Sequence, residues 1–68
     1  MMYISQDYGS VRIISEGSPF EVTYDIRVQW KKNGEWEDFW GTNSLSDDYA
    51  YSNARDRAAE AKKILDAL

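Results

Sequence analysis

Between Phe20 and Trp30 the chain alternates without an error. Phe20, Val22, Tyr24, Ile26, Val28 and Trp30 are apolar or aromatic, and Glu21, Thr23, Asp25, Arg27 and Gln29 between them are polar. A period of two is the signature of a strand with one buried face. Lys31-Lys32-Asn33-Gly34-Glu35 follows, and Asn-Gly tolerates the two positive φ values that a type I′ hairpin turn demands. The alternation therefore predicts a hairpin whose second strand runs from Glu35 to Thr42. Upstream, Val11 to Ser15 is a short apolar-rich run, set off from the long strand by the turn residues Glu16-Gly17-Ser18-Pro19. Met2 to Gln6, ahead of Asp7-Tyr8-Gly9-Ser10, is the candidate for a fourth, outer strand.

The period changes after Asp47. Tyr51, Ala54, Ala58, Ala61, Leu65 and Leu68 recur at alternating steps of three and four, with Ala50 and Ile64 beside them. This spacing predicts one amphipathic helix from Asp47 to Ala67. Ser46 or Ser44 can cap it, Asp47 and Asp48 suit the positive end of its dipole, and Lys62 and Lys63 suit the negative end. Ser52-Asn53 is the weak point, because both side chains compete for backbone hydrogen bonds. The expected fold is α+β: an antiparallel meander of three strands, with room for a fourth, and a C-terminal helix packed on one face. Residues 1–68 form a single domain in this reading. The predicted core is Val11, Ile13, Phe20, Val22, Tyr24, Ile26, Val28, Phe39, Ala54, Ala58, Ala61 and Leu65, in which small helix residues face large sheet residues.

A two-residue Asn33-Gly34 loop also predicts the hairpin register, and directly opposed residues share a face of the sheet. Val28 then pairs with Phe39 and Trp30 with Glu37 on the buried face. Lys31 pairs with Trp36, Gln29 with Asp38 and Arg27 with Trp40 on the face away from the helix. An extra residue in the last strand would reverse that assignment. In structural terms a tryptophan beside Arg27 or Lys31 is an ordinary cross-strand pair worth about 0.5–1 kcal/mol. In functional terms the same residues make an amphipathic binding surface, since tryptophan, tyrosine and arginine dominate interface hot spots. The candidate partner-binding residues are Arg27, Lys31, Trp36, Glu37, Asp38, Trp40, Asp47 and Asp48, with Asp25, Ile14 and Tyr3 at the margin.

Composition narrows the chemistry. The 68 residues include no cysteine and no histidine, so disulfides and Cys- or His-based metal and catalytic sites are excluded. Twelve acidic residues against eight basic ones leave a net charge of −4, a poor match to a phosphate backbone. The acids Glu35, Glu37, Asp38, Asp47 and Asp48 gather around the last strand and its exit loop. Such a run is commonly a solvated face, and as a functional feature it would meet a basic protein surface. Paired carboxylates can also serve acid–base catalysis, yet one helix over one small sheet offers little concavity. No cofactor or metal is expected. Apolar runs are short and Met1-Met2-Tyr3 has neither the basic nor the apolar region of a signal peptide, which predicts a cytoplasmic chain without a membrane segment.

Resemblances add three readings. The strands and alanine-striped helix of Pro19 to Leu68, with Asn53-Ala54-Arg55-Asp56-Arg57-Ala58-Ala59-Glu60-Ala61 and Ile64-Leu65, resemble the later part of a double-stranded-RNA-binding domain. That family places lysines at this helix start, where Asp47-Asp48 stand here, and has an additional helix before its sheet. The layout is also similar to arm-type DNA-binding domains of phage-type integrases, for which Arg12, Arg27 and Lys31 would be the groove-reading cations. The short, acidic, cysteine-free chain with surplus aromatics resembles, over its whole length, small phage-encoded anti-defence proteins such as anti-CRISPR inhibitors. That resemblance implies a non-enzymatic, stoichiometric binder that occludes a site on a host protein or ribonucleoprotein complex. A nucleic-acid-binding module is the alternative, and two open sheet edges also suit a homodimer.

Overall fold

The structure is a computed structural model that describes residues 2–16, 24–45 and 47–68, and their side chains except those of Met2, Tyr3, Tyr24, Ser44 and Asp47. Four strands, β1 (Met2–Asp7), β2 (Val11–Glu16), β3 (Tyr24–Lys32) and β4 (Glu35–Ser44), form one antiparallel sheet in the order β1-β2-β3-β4. The helix α1 (Asp47–Asp66) packs against it. The predicted α+β meander is therefore the observed fold, with Met2–Asp7 as its fourth strand. The expected strand start at Phe20, the core positions Phe20 and Val22, the 17–19 turn and the Ser46 cap lie outside the described residues, as do the side chains of Tyr24 and of the alternative cap Ser44.

Local chemistry accounts for the two described turns. Asn33 and Gly34 take φ of 55° and 83°, the double positive pair of a type I′ hairpin. In the β1–β2 turn the Asp7 carboxylate accepts a hydrogen bond from the Gly9 amide at 2.8 Å, and Gly9 itself has φ of 88°. Asp followed two residues later by glycine is thus an Asx turn leading into a left-handed position. The helix passes through Ser52-Asn53 unbroken, and the Asn53 side-chain amide Nδ2 donates back to the Tyr49 carbonyl at 2.8 Å, one turn earlier.

One residue alters the predicted register. The rows Lys32–Glu35, Lys31–Trp36, Trp30–Glu37 and Gln29–Asp38 follow the turn as expected, but Val28 then pairs with Trp40 and Arg27 with Gly41. Phe39 is the extra residue of a β-bulge. The expected pairs Val28–Phe39 and Arg27–Trp40 do not form, and Trp40 moves to the helix side of the sheet. Phe39 stays there too, since bulged neighbours need not alternate. A second bulge at Ser5 shifts the β1–β2 register, and the Ser5 hydroxyl donates to the Ile13 carbonyl at 3.2 Å.

The core lies between α1 and the inner strands. Val11, Ile13, Ile26, Val28, Ala50, Ala54, Ala58 and Ala61 are buried, and Trp30, Phe39, Trp40, Tyr51 and Leu65 pack partly buried around them. Trp30 and Phe39 meet with ring centroids 4.5 Å apart. Each fully buried Val or Ile contributes about 1.5–3 kcal/mol by leaving water. The alanines add little area themselves and instead let the helix axis approach the sheet. Ser15, on the same face, is buried and hydrogen-bonded to the Tyr51 hydroxyl.

Replacing Ala54 with leucine is expected to destabilise the fold by about 1–3 kcal/mol, because the fully buried contact has no room for three more carbons. Urea denaturation checks this, and an unchanged midpoint would mean the helix stands farther from the sheet. Trp40→Ala should cost about 2–4 kcal/mol as a core truncation, whereas Trp36→Ala, on the other face, should cost about 1 kcal/mol or less. Equal losses would contradict the bulge.

Candidate interaction surface

The face of the sheet away from α1 is built by register alone. Arg12, Gln29 and Asp38 fall in one cross-strand row, Lys31 and Trp36 in the next row toward the β3–β4 turn, and Ile14, Arg27 and Gly41 in the next row away from it. Glu16, Asp25 and Asn43 complete the face at the far end.

These side chains form a connected network. The Arg12 guanidinium donates through Nε to Gln29 Oε1 at 2.9 Å, and Gln29 Nε2 donates to Asp38 Oδ1 at 2.8 Å. The same guanidinium lies 4.0 Å from the centroid of the Trp36 ring, and Lys31 Nζ lies 5.8 Å from it. Trp36 is thus held by cations from β2 and β3, and its ring is partly exposed. Arg27 pairs with Glu16 at 2.6 Å and with Asp25 at 3.5 Å. At about a third to two fifths side-chain exposure these ion pairs order the surface more than they stabilise the fold. Ile14, between Arg27 and Ile4 in its row, is only 2% exposed, although among the described residues no helix lies on that face. Among the described residues, every buried side-chain nitrogen and oxygen has a hydrogen-bond partner.

Of the predicted site residues, Arg27, Lys31, Trp36 and Asp38 do share this open face. Trp40 does not, because the Phe39 bulge turns it into the core. Glu37, paired with Trp30, is exposed at the hairpin end of the helix side. Asp48 is exposed in the first turn of α1, beyond the opposite end of β4, and the Asp47 side chain lies outside the described residues. The acidic residues are therefore dispersed along β4 and the helix start. Gln29 lies opposite Asp38 on this face as the hairpin register predicts, and Arg12 is the member that the hairpin reading missed. The polar parity of Arg12 within β2 was visible, but placing it over Trp36 required the register across three strands.

Beside β4 there is a shallow, solvent-open depression lined by the polar Asp25, Arg27, Asp38, Thr42 and Asn43 together with Gly41 and the bulge residues Phe39 and Trp40. Among the described residues no group of three or more acidic side chains could hold a metal ion, and no helix is long and apolar enough to cross a membrane.

If the Arg12–Trp36 stack is a real pairwise interaction, a double-mutant cycle with Arg12→Ala and Trp36→Ala will return about 0.5–1 kcal/mol of coupling. Additive losses would show that the two side chains are merely adjacent. Comparison adds no relative: the chain matches no protein-family model, no curated protein and no solved structure.

Proposed function

We propose that the chain is a small, non-enzymatic protein-binding module that acts in the cytoplasm as a stoichiometric inhibitor, occluding a basic site on a larger host complex of the defence or nucleic-acid-handling kind. The observation that carries this reading is the state of the open face. It presents a partly exposed tryptophan held rigid by Arg12 and Lys31, while Arg12 and Arg27 are engaged by Gln29, Glu16 and Asp25 within the face. A rigid aromatic with its ordering entropy already spent is a good hot-spot residue. Arg27, already neutralised by Glu16 and Asp25, is a poor phosphate ligand, and a net charge of −4 opposes a polyanion at longer range. The acidic excess favours instead a basic protein surface, where electrostatics accelerates encounter. The anti-defence resemblance agrees with this partner class.

The test is capture of the host complex by the immobilised chain, compared with variants. Trp36→Ala is expected to weaken capture by about 2 kcal/mol or more while leaving the melting transition nearly in place, as a hot-spot residue should. Asp38→Lys should slow association in a salt-sensitive way. Tight binding to generic DNA or RNA that weakens steeply with salt would overturn the proposal in favour of a nucleic-acid module.

A further inference from the structure

The two edges of the sheet are not equivalent. β1 is six residues long, bulged at Ser5, and α1 packs against β2, β3 and β4 but not against β1. β4 is ten residues long and backed by the helix. Among the described residues nothing pairs with its outer side, so its outward backbone groups are a template for another strand. Natural edges are blunted by proline, by bulges and by charged residues, lysine above all. β4 has no proline or lysine; it carries the bulge at Phe39, and its charges are Glu35, Glu37 and Asp38, all exposed and all in the half nearest the Asn33-Gly34 turn, so what the edge admits is a strand of opposite charge.

The placement of these acids specifies what fits beside them. Glu37 and Asp38 are consecutive, and the register puts Glu37 on the helix side with Trp30 and Asp38 on the open side with Gln29. Negative charge therefore flanks the same stretch of edge on both faces. A strand lying alongside has the same alternation, so two adjacent lysines or arginines in it project to opposite faces, one toward Glu37 and one toward Asp38. The open-face cation also comes beside Trp36. A second copy of this chain lacks that complement, because neither β1 nor β4 carries a lysine or arginine while both carry acids.

We infer that the β4 edge accepts an extended basic segment of a partner protein as an added strand, with Glu37 and Asp38 reading an adjacent pair of basic residues. The bulge at Phe39 interrupts the pleat and confines the paired stretch to Glu35–Asp38. The inference deepens the protein-binding reading, and rests on it, by giving the partner a local conformation and charge.

A ten-residue synthetic peptide of threonine and valine around a central Lys-Arg pair tests it, titrated into the isotope-labelled chain. Shifts are expected across Glu35–Asp38, with slowed exchange at the alternate amides of that stretch that point away from β3. The combined change Glu37→Lys and Asp38→Lys should lower peptide affinity at least tenfold without moving the melting transition. A peptide with a central Glu-Glu pair should not bind, and backbone N-methylation of the Lys-Arg peptide should also cost at least tenfold. The inference fails if the shifts map to α1 or β1, if N-methylation has no effect, or if sedimentation shows a β4-dependent dimer that the peptide does not dissociate. A chain that captures its host complex through Trp36 yet ignores the peptides refutes the edge and leaves the protein-binding reading intact. Peptide binding at the edge with host capture indifferent to Trp36 has the reverse meaning.

Discussion

Everything in this molecule depends on how closely one helix can approach one sheet. Ala50, Ala54, Ala58 and Ala61 form a seam with almost no side-chain bulk, and the volume they leave is filled by Ile13, Ile26 and Val28 from below and by Trp30, Phe39 and Trp40 from the sides. In a chain of 68 residues this is the way to obtain a dense interior from a single contact. Among the described residues there is no third layer, and the candidate surface lies on the side of the sheet away from α1.

The bulge at Phe39 divides two jobs between two tryptophans. Trp36 precedes it and keeps the outward parity set by the hairpin turn, while Trp40 follows it and is turned inward. A perfectly regular strand would have sent both rings outward, removing a large side chain from the core and doubling the exposed aromatic surface. The inserted residue supplies core volume and leaves Trp36 partly exposed on the open face, beside the cations of Arg12 and Lys31.

What was legible in the sequence follows the range of the forces involved. The alternation of Tyr24 to Trp30, the Asn33-Gly34 turn and the alanine spacing are local signals, and the elements they predict are present. So is the pairing from Lys32–Glu35 to Gln29–Asp38, which the turn alone dictates. The error begins at Phe39, because a bulge is chosen by packing against α1, a contact remote in sequence. Phe and Trp in succession were apolar at both parities, which was the available hint. The Arg12–Gln29 half of the row was out of reach for a related reason: it depends on the β2–β3 register, for which no short turn supplies a rule. Ile14 is the complementary case, an apolar residue on the outward parity of β2 that is nonetheless buried.

The helix footprint has a further bearing on how the molecule opens. Because α1 spans β2, β3 and β4 and stops short of β1, the first strand is held by its ladder to β2 and by the Ser5 and turn hydrogen bonds, without any share in the alanine seam. Its release would uncover Ile14 but would leave the helix and three strands packed. The chain therefore divides into a cooperative unit of β2, β3, β4 and α1 and a strand that can fray on its own, with a lower opening free energy than the rest. In such an architecture the β1 amides exchange with solvent through local excursions, and only the inner strands report the global unfolding of the domain.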